Sequence, residues 1–327
     1  MAHALVLGGT RFVGRHTVEE LLDAGDDVTI FTRGNNENPF GDDVAHVEGD
    51  RTDDGDLAAA ATEVDPDVVI DCVAYEPRDV RVATRIFDDV DAYVYVSSGS
   101  SYGADHVPKR EGKTPLCPYP DDGGDEEYSA SYGARKAEGD RAVFEAAENG
   151  VNAMAVRPCV IYGPHDYTER LDYWIDRIAS HDRILVPGDG TNLWHRAYVE
   201  DVARALRIVA ERGEPGEAYN VADRRLVHLD GMVELIADAL DTDVETVHAG
   251  NRELGMVDLM CSDFPLYRNP PHVLSTAKLA ALGWESTPLD EAMERTVAES
   301  VDSDRDGRDL GPSREDEERV LGVLDTI

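Results

Sequence analysis

The sequence predicts an α/β protein, a doubly wound parallel sheet joined to a second, smaller domain. Three observations lead there. Short apolar runs of strand length alternate with helical patterns through the first half of the chain. The first of these runs ends in a glycine cluster that opens a helix. The length, 327 residues, suffices for one large α/β domain or two modest ones.

Residues 3–7, 27–32, 44–47, 67–72, 92–97 and 151–156 read as strands, because their near-continuous apolar character suits strands buried on both faces. Between them, 13–24, 54–63, 79–88 and 129–148 carry helical patterns. After Pro158 the rhythm changes. A helix is expected over 168–180 with Tyr173 and Trp174, another over 200–212, a returning strand over 217–221, and later helices over 229–240 and 289–299. This divides the chain into a nucleotide-binding domain of 1–162 with 194–224 and a substrate domain of 163–193 with 225–300. An Asp-, Arg- and Glu-rich tail follows over 301–327, with a helical pattern at 314–324, and 121–127 reads as a solvated acidic loop.

Formal charge is −37, with 68 carboxylates spread along the chain and no basic cluster. Such self-repulsion strains a protein at moderate salt, whereas molar salt shrinks the Debye length to about 3 Å. The composition therefore points to a salt-accumulating halophile and to loss of fold at low salt. It argues against nucleic acid as a partner, which needs clustered Lys and Arg. Cys72, Cys117, Cys159 and Cys261 lack metal or disulfide spacing, and His165, His181, His195, His228 and His272 lack ligand spacing, so no metal is expected. No signal peptide or membrane-length apolar run is present, which gives the expectation of a cytoplasmic protein without a membrane partner.

Leu7-Gly8-Gly9-Thr10-Arg11-Phe12-Val13-Gly14 follows the first strand and opens the first helix. Glycines there let backbone N–H groups and a helix N-terminus approach a pyrophosphate. The second strand ends in Arg33, which cannot accept hydrogen bonds from ribose hydroxyls but can pair with a 2′-phosphate; with Arg11 it tilts the cofactor from NAD toward NADP. Only four lysines remain in the chain, and Lys136 closes a Tyr-x-x-x-Lys begun by Tyr132. Arg135 stands beside it, so charge alone does not explain the lysine. At i, i+4 on a helix the two share a face. A tyrosine is a poor base at neutral pH, and a neighbouring ammonium stabilises its phenolate.

The glycine run resembles the Thr-Gly-Gly-Thr-Gly-Phe-Ile-Gly opening of extended short-chain dehydrogenases/reductases, the NAD-dependent epimerase/dehydratase family. Leu7 and Arg11 depart from it. The Gly-Gly-Thr-Arg-Phe version is similar to an atypical subgroup that includes chloroplast stem-loop RNA-binding proteins. Arg11, in the place of the middle glycine, brings the backbone's close approach to the phosphates into question. Residues 93–103, with Ser97-Ser98 and Tyr102-Gly103, resemble the family's Ser-Ser-x-x-Val-Tyr-Gly signature. Arg157-Pro158 through Tyr162-Gly163-Pro164, Tyr198-Val199-Glu200-Asp201-Val202-Ala203, Tyr219-Asn220-Val221 and Leu282-Gly283-Trp284 extend the likeness over about residues 3–298.

The resemblance implies a Rossmann-type fold and NAD(P)-dependent hydride transfer at a carbinol of a sugar-like or sugar-nucleotide-like substrate. Ser98 would hold the substrate oxygen, Tyr132 exchange the proton, and Lys136 support Tyr132. The cofactor would meet Gly8, Thr10, Arg11, Phe12, Val13, Gly14, Arg33, Asp50, Arg51, Val73, Ala74, Tyr132, Lys136 and Pro158. The substrate would meet Ser98, Ser100, Tyr162, Trp194 and Arg196, and Arg157 or Arg170 offers a further cation for an anionic group. Trp174 is a stacking residue or a core residue. Gly99-Ser100 stand where the family's dehydratases carry Asp-Glu, and Trp194-His195 where nucleotide-sugar epimerases carry Arg-Asp. The helix over 79–88 lacks the family's Asn-Val-x-Gly-Thr. A homodimer through the helices at the sheet edge is implied. The alternative function is an RNA-binding or regulatory protein on a retired dehydrogenase fold.

Overall fold

A computed structural model of the chain describes residues 2–119 and 132–326. The acidic loop expected at 121–127, and the first residues of the helix expected at 129–148, lie outside the described residues. The chain divides into two compact units: Met1–Ile161 with Val199–Ala222 and Leu274–Ser286, and Tyr162–Tyr198 with Asp223–Val273 and Thr287–Ile327.

The first unit begins β1 (His3–Leu7), α1 (Phe12–Asp23), β2 (Asp27–Thr32), β3 (Ala45–Glu48), α2 (Asp54–Val64), β4 (Val68–Asp71), α3 (Pro77–Ile86), β5 (Ala92–Val96), α4 (Tyr132–Glu148) and β6 (Ala153–Pro158). After β7 (Val160–Tyr162), the second unit supplies α5 (Asp172–Ser180), β8 (Arg183–Pro187) and β9 (Arg196–Tyr198). The chain returns as α6 (Val199–Arg212) and β10 (Ala218–Val221), and then builds α7 (Leu229–Ala239), β11 (Glu245–Ala249) and α8 (Asn251–Leu254) in the second unit. The short α9 (Ala277–Ala280) belongs to the first unit, and α10 (Leu289–Val301) and α11 (Arg314–Leu324) to the second.

The seven-stranded sheet runs β10-β6-β5-β4-β1-β2-β3, every pair parallel. Every residue of β5 and β6 is buried, as strands covered on both faces require. Helices α2, α3 and α4 close one face over Leu5, Leu7, Phe31, Val69, Tyr93 and Tyr95. Helices α1 and α6 pack against each other elsewhere in the unit. The chain turns from one side of the sheet to the other between β1 and β4, and ligands of such sheets bind outside the strand ends at that point.

Local chemistry sets the helix starts. Asp53 Oδ1 accepts from the N–H groups of Gly55 (2.8 Å) and Asp56 (3.2 Å), which caps α2. Helix α3 begins two residues earlier than the 79–88 pattern suggests, because Pro77 suits its first position and Asp79 Oδ2 accepts from Tyr75 N and Glu76 N.

In the second unit, β8 and β11 form a parallel pair, and α5, α7 and α10 pack together. Three expectations are corrected here. Residues 301–327 are not a tail: α11 packs on β8 and buries Glu317, Val320 and Leu321. Glu317 accepts from Tyr173 Oη (2.6 Å) and Arg177 Nε (2.8 Å), a buried charge that α5 neutralises. Residues 274–286 belong to the first unit, because Trp284 is buried there and its indole N–H donates to the Asp201 carbonyl (2.9 Å). The boundary at 194 also moves, since Trp194 through Tyr198 group with the second unit. Among the described residues no helix is long and apolar enough to cross a membrane.

Candidate active site

The turn after β1 is shaped by its glycines. Gly8 takes φ +93, and a Cβ there would run into Val73 in the segment after β4. A Cβ on Gly14 would overlap the Gly8 carbonyl, so α1 sits directly against the turn. Arg11, in the place of the family's middle glycine, adopts an ordinary extended backbone (φ −130, ψ 152); the positive φ falls on Phe12 instead, at 26. The arginine therefore adds no backbone strain of its own.

Helix α1 has neither a side-chain cap nor an acidic residue in its first turn. Helices α2, α3, α5, α6, α7, α10 and α11 all carry Asp or Glu there. In so acidic a chain, a positive helix end left without its own carboxylate suits an anion such as a pyrophosphate. The residues present thus fit a dinucleotide.

Thr10 and Val13 are half-buried in this turn, and Arg33 is exposed after β2. Asp50 Oδ1 accepts from Thr52 N (2.9 Å) and Thr52 Oγ1 (2.8 Å). Those bonds, and after them the Arg33 charge, hold the Asp50 carboxyl below its usual range. Arg51 is turned inward. Its guanidinium is buried, pairs with Asp71 and donates to the Asp79 carbonyl (3.0 Å). These bonds tie the end of β3 to β4 and α3. Val73 N–H donates to Asp71 Oδ1 (3.2 Å), Ala74 is buried behind it, and Pro158 is buried at the end of β6.

Lys136 lies in α4, buried, with its ammonium donating to the Ala74 carbonyl (2.9 Å) and the Val96 carbonyl (2.8 Å). It thus bridges the C-terminal ends of β4 and β5. Ring centroids of Tyr95, Tyr75 and Tyr132 stand 4.9, 5.2 and 6.0 Å from Nζ. Burial lowers the Lys136 pKa to about 8, opposed first by Asp71 and then by Asp140. Arg135, the neighbouring cation, points elsewhere and pairs with Glu76 (3.3 Å). Successive helical residues face different directions, so only the lysine reaches the sheet.

Tyr95 is fully buried, and burial drives its pKa well above the ordinary value, so it stays neutral. Tyr132 is half-buried at the start of α4. Gly133 lets that helix end approach the next turn, since a Cβ would stand 2.5 Å from the Ser100 carbonyl oxygen. Ser98 caps this turn, its Oγ accepting from Ser100 N (3.1 Å), while Ser100 itself is exposed. Ser98, Tyr132 and Lys136 therefore gather on elements at the C-terminal end of β5. Asp71, Tyr75 and Asp140 belong to none of the motifs above, and Tyr95 lies in the 93–103 run without a role assigned to it there.

A model of the NAD dependent epimerase/dehydratase family matches residues 4–222. The chain belongs to that family. Its relatives include the chloroplast stem-loop binding protein of 41 kDa b of Arabidopsis thaliana, 26% identical over 72% of this chain and 62% of that protein. The chain thus spans less than two thirds of that relative. The low-salt glycan biosynthesis protein Agl12 of Haloferax volcanii is 28% identical over 86% of this chain and 92% of its own length. Among solved structures, dTDP-glucose 4,6-dehydratase of Bacillus anthracis in complex with NAD shares the fold with a TM-score of 0.73 at 19% identity, over 95% and 100% of the two chains. UDP-glucose 4-epimerase of Thermus thermophilus with NAD does so at 0.70 and 20%, over 91% and 99%.

The remaining expected residues of this epimerase/dehydratase family member have settled partners. Arg157 is buried and donates to Asp140 (2.9 Å) and to Tyr102 Oη (3.0 Å), so it is no free grip for an anion. In the second unit, Tyr162 is buried with its ring 5.7 Å from that of Tyr198. Arg196 is also buried there and donates to the Val227 carbonyl (3.0 Å). Trp194 is half-buried under the Arg268 guanidinium, 5.5 Å from its ring. Trp174 is a core residue: fully buried, it donates to the Pro265 carbonyl (3.0 Å) and stacks near Phe264. Among the described residues no cluster of His, Cys, Asp and Glu has the makings of a metal site.

Proposed function

We propose that this protein catalyses NAD(P)-dependent oxidation–reduction or epimerisation at a carbinol of a sugar nucleotide. The observation that carries this is the buried Lys136 ammonium, held by the Ala74 and Val96 carbonyls beside half-buried Tyr132 and the Ser98 turn. A nicotinamide dinucleotide, when bound, supplies the hydride-accepting ring. The turn from Gly8 to Gly14 and the N-terminus of α1 would hold its phosphates, and Asp50 and Arg33 its adenosine end. Ser98 orients the substrate hydroxyl, Tyr132 takes or returns its proton, and Lys136 lowers the cost of the phenolate. The sugar-nucleotide class is supported by the dTDP-glucose and UDP-glucose activities named for two solved structures of the same fold, and a carbohydrate substrate by the glycan biosynthesis named for Agl12. Gly99 and Ser100, in the place of an acid pair, disfavour elimination of water.

The test is turnover of UDP-glucose or dTDP-glucose in concentrated KCl, followed by the near-ultraviolet absorbance of reduced nicotinamide. Steady growth means dehydrogenase. A firmly bound cofactor with sugar inversion and no net reduction means epimerase. Tyr132→Phe is expected to cut turnover by about 10²–10⁴-fold with cofactor affinity retained; full turnover in that variant would remove Tyr132 from the role. Calorimetry with both cofactors tests the arginine argument, which expects NADP to bind more tightly through Arg33 and Arg11; a clear preference for NAD would overturn it. A homodimer through α3 and α4 is part of the reading, checked by sedimentation. The likeness to the stem-loop binding protein favours a second reading, RNA binding, which requires tight, sequence-dependent retention in a filter assay.

A further inference from the structure

We propose that Asp140, locked by Arg157, is the positioning residue that supports the charge of the Lys136 ammonium from the next turn of the same helix, an inference that rests on the active-site reading above. Tyr132, Lys136 and Asp140 follow one another at four-residue steps on α4 and so share a face. Asp140 is fully buried. One carboxylate oxygen accepts from Arg157 Nε (2.9 Å), and the other has no partner among the described residues.

Arg157 is itself fixed. Its Nη1 donates to Tyr102 Oη (3.0 Å), its guanidinium lies 4.9 Å from that ring, and Tyr102 donates to Asn220 Oδ1 (2.8 Å) in β10. Asn220 is anchored in turn by Glu111 (2.8 Å) and the Ser275 carbonyl (3.2 Å). Tyr102 closes the turn that Ser98 opens, so this buried chain ties the helix bearing Lys136 to the turn bearing Ser98.

A buried ion pair seldom repays its own desolvation, so stability alone is a weak reason for this one. Its value lies in where it holds a carboxylate. The groups facing Lys136 are Asp71 and Cys72 at the end of β4, Glu76 and Asp79 at α3, Asp140 on its own helix, and the rings of Tyr75, Tyr95 and Tyr132. Burial works against the ammonium most strongly, and Asp71 and Asp140 lead the groups that oppose it. Asp71 is shared with Arg51 and Tyr93 Oη (2.9 Å), whereas Asp140 keeps one oxygen without a partner.

The experiment is a pH titration of the lysine ammonium signals by NMR on the full chain with isotope-labelled lysine in concentrated KCl. Only four lysines contribute, and Lys136→Met identifies the signal. Asp140→Asn, which preserves shape and a bond to Arg157, is expected to lower the Lys136 midpoint by roughly one unit. Asp140→Glu should restore it. An unchanged midpoint in a folded Asp140→Asn protein overturns the proposal. Should that variant not fold, Arg157→Lys decides, since it keeps the cation but breaks the two-point hold on Asp140 and Tyr102. A Lys136 midpoint displaced by roughly half a unit or more supports the proposal, and an unmoved one overturns it. The titration needs neither cofactor nor substrate, so a failure of the enzymatic reading is seen separately.

Discussion

Lys136 pays for its position. A buried ammonium with a pKa near 8 is protonated with difficulty in the folded chain and easily in the unfolded one. The sign follows from proton counts. Between pH 8 and the ordinary lysine value the unfolded chain holds a proton that the folded chain lacks, so this site's contribution to stability rises with pH across that window. Below it, the buried charge costs on the order of a few kcal/mol. Lys136→Met is therefore expected to raise the melting temperature at neutral pH, to flatten its rise above pH 8, and to abolish turnover. Parallel thermal denaturation at two pH values checks this; a lower melting temperature at neutral pH would mean that the hydrogen bonds to Ala74 and Val96 outweigh desolvation. Activity of the native chain should fall as pH rises through about 8, where the ammonium is lost.

At the scale of elements, packing of α4 and α11 follows from a few residues each. Gly133 and Gly139 let α4 lie close to the Ser98 turn and to Tyr95, where a Cβ would stand 2.5 and 2.6 Å from the Ser100 carbonyl and the Tyr95 hydroxyl. Helix α11 is held by the buried Glu317, which meets Tyr173 and Arg177, and by Arg183 with Asp325 (2.7 Å) nearer its exposed end. Replacing Glu317 with Ala leaves Arg177 with Asp176 (3.1 Å) and the Pro312 carbonyl (2.9 Å), and strips the Tyr173 hydroxyl of its acceptor. The expected loss is about 1–3 kcal/mol in denaturant unfolding, whereas Asp325→Ala, on the surface, should cost less than about 1 kcal/mol. Equal effects would show that the buried pair is not what fastens the helix.

For the whole molecule, charge dominates. At −37 the chain repels itself, and pairs such as Arg207 with Glu20 and Arg308 with Asp176 offset only part of that. Raising KCl from dilute to molar is expected to raise the melting temperature continuously, because screening acts on the summed repulsion more than on close pairs. Unchanged melting in dilute buffer would overturn the reading of the acidic surface as an adaptation to salt. The same charge leaves α1 conspicuous, a helix start without a carboxylate in a chain that places one at most others.

The succession of strands and helices along the first half of the chain and the glycine turn were legible from sequence because each depends on local periodicity, whereas Ser98, Tyr132 and Lys136 were proposed as a trio through the family resemblance and lie on neighbouring elements. The family to which the chain belongs was legible too. Three things were not. Residues 301–327 read as a tail because their composition is polar, and only the pairing of Glu317 with Arg177 makes a helix of that charge part of a core. Arg51 and Arg157 read as cations available to ligands, yet both are spent on carboxylates 20 and 17 residues away. The β8 and β11 strands stabilise each other across the sequence and carry little signal alone. Local pattern determined most of the elements and which residues are candidates for chemistry. Long-range electrostatics and packing decided which charges face a ligand and which are buried in pairs, since a side chain's partner is set by folding and not by its neighbours in the chain.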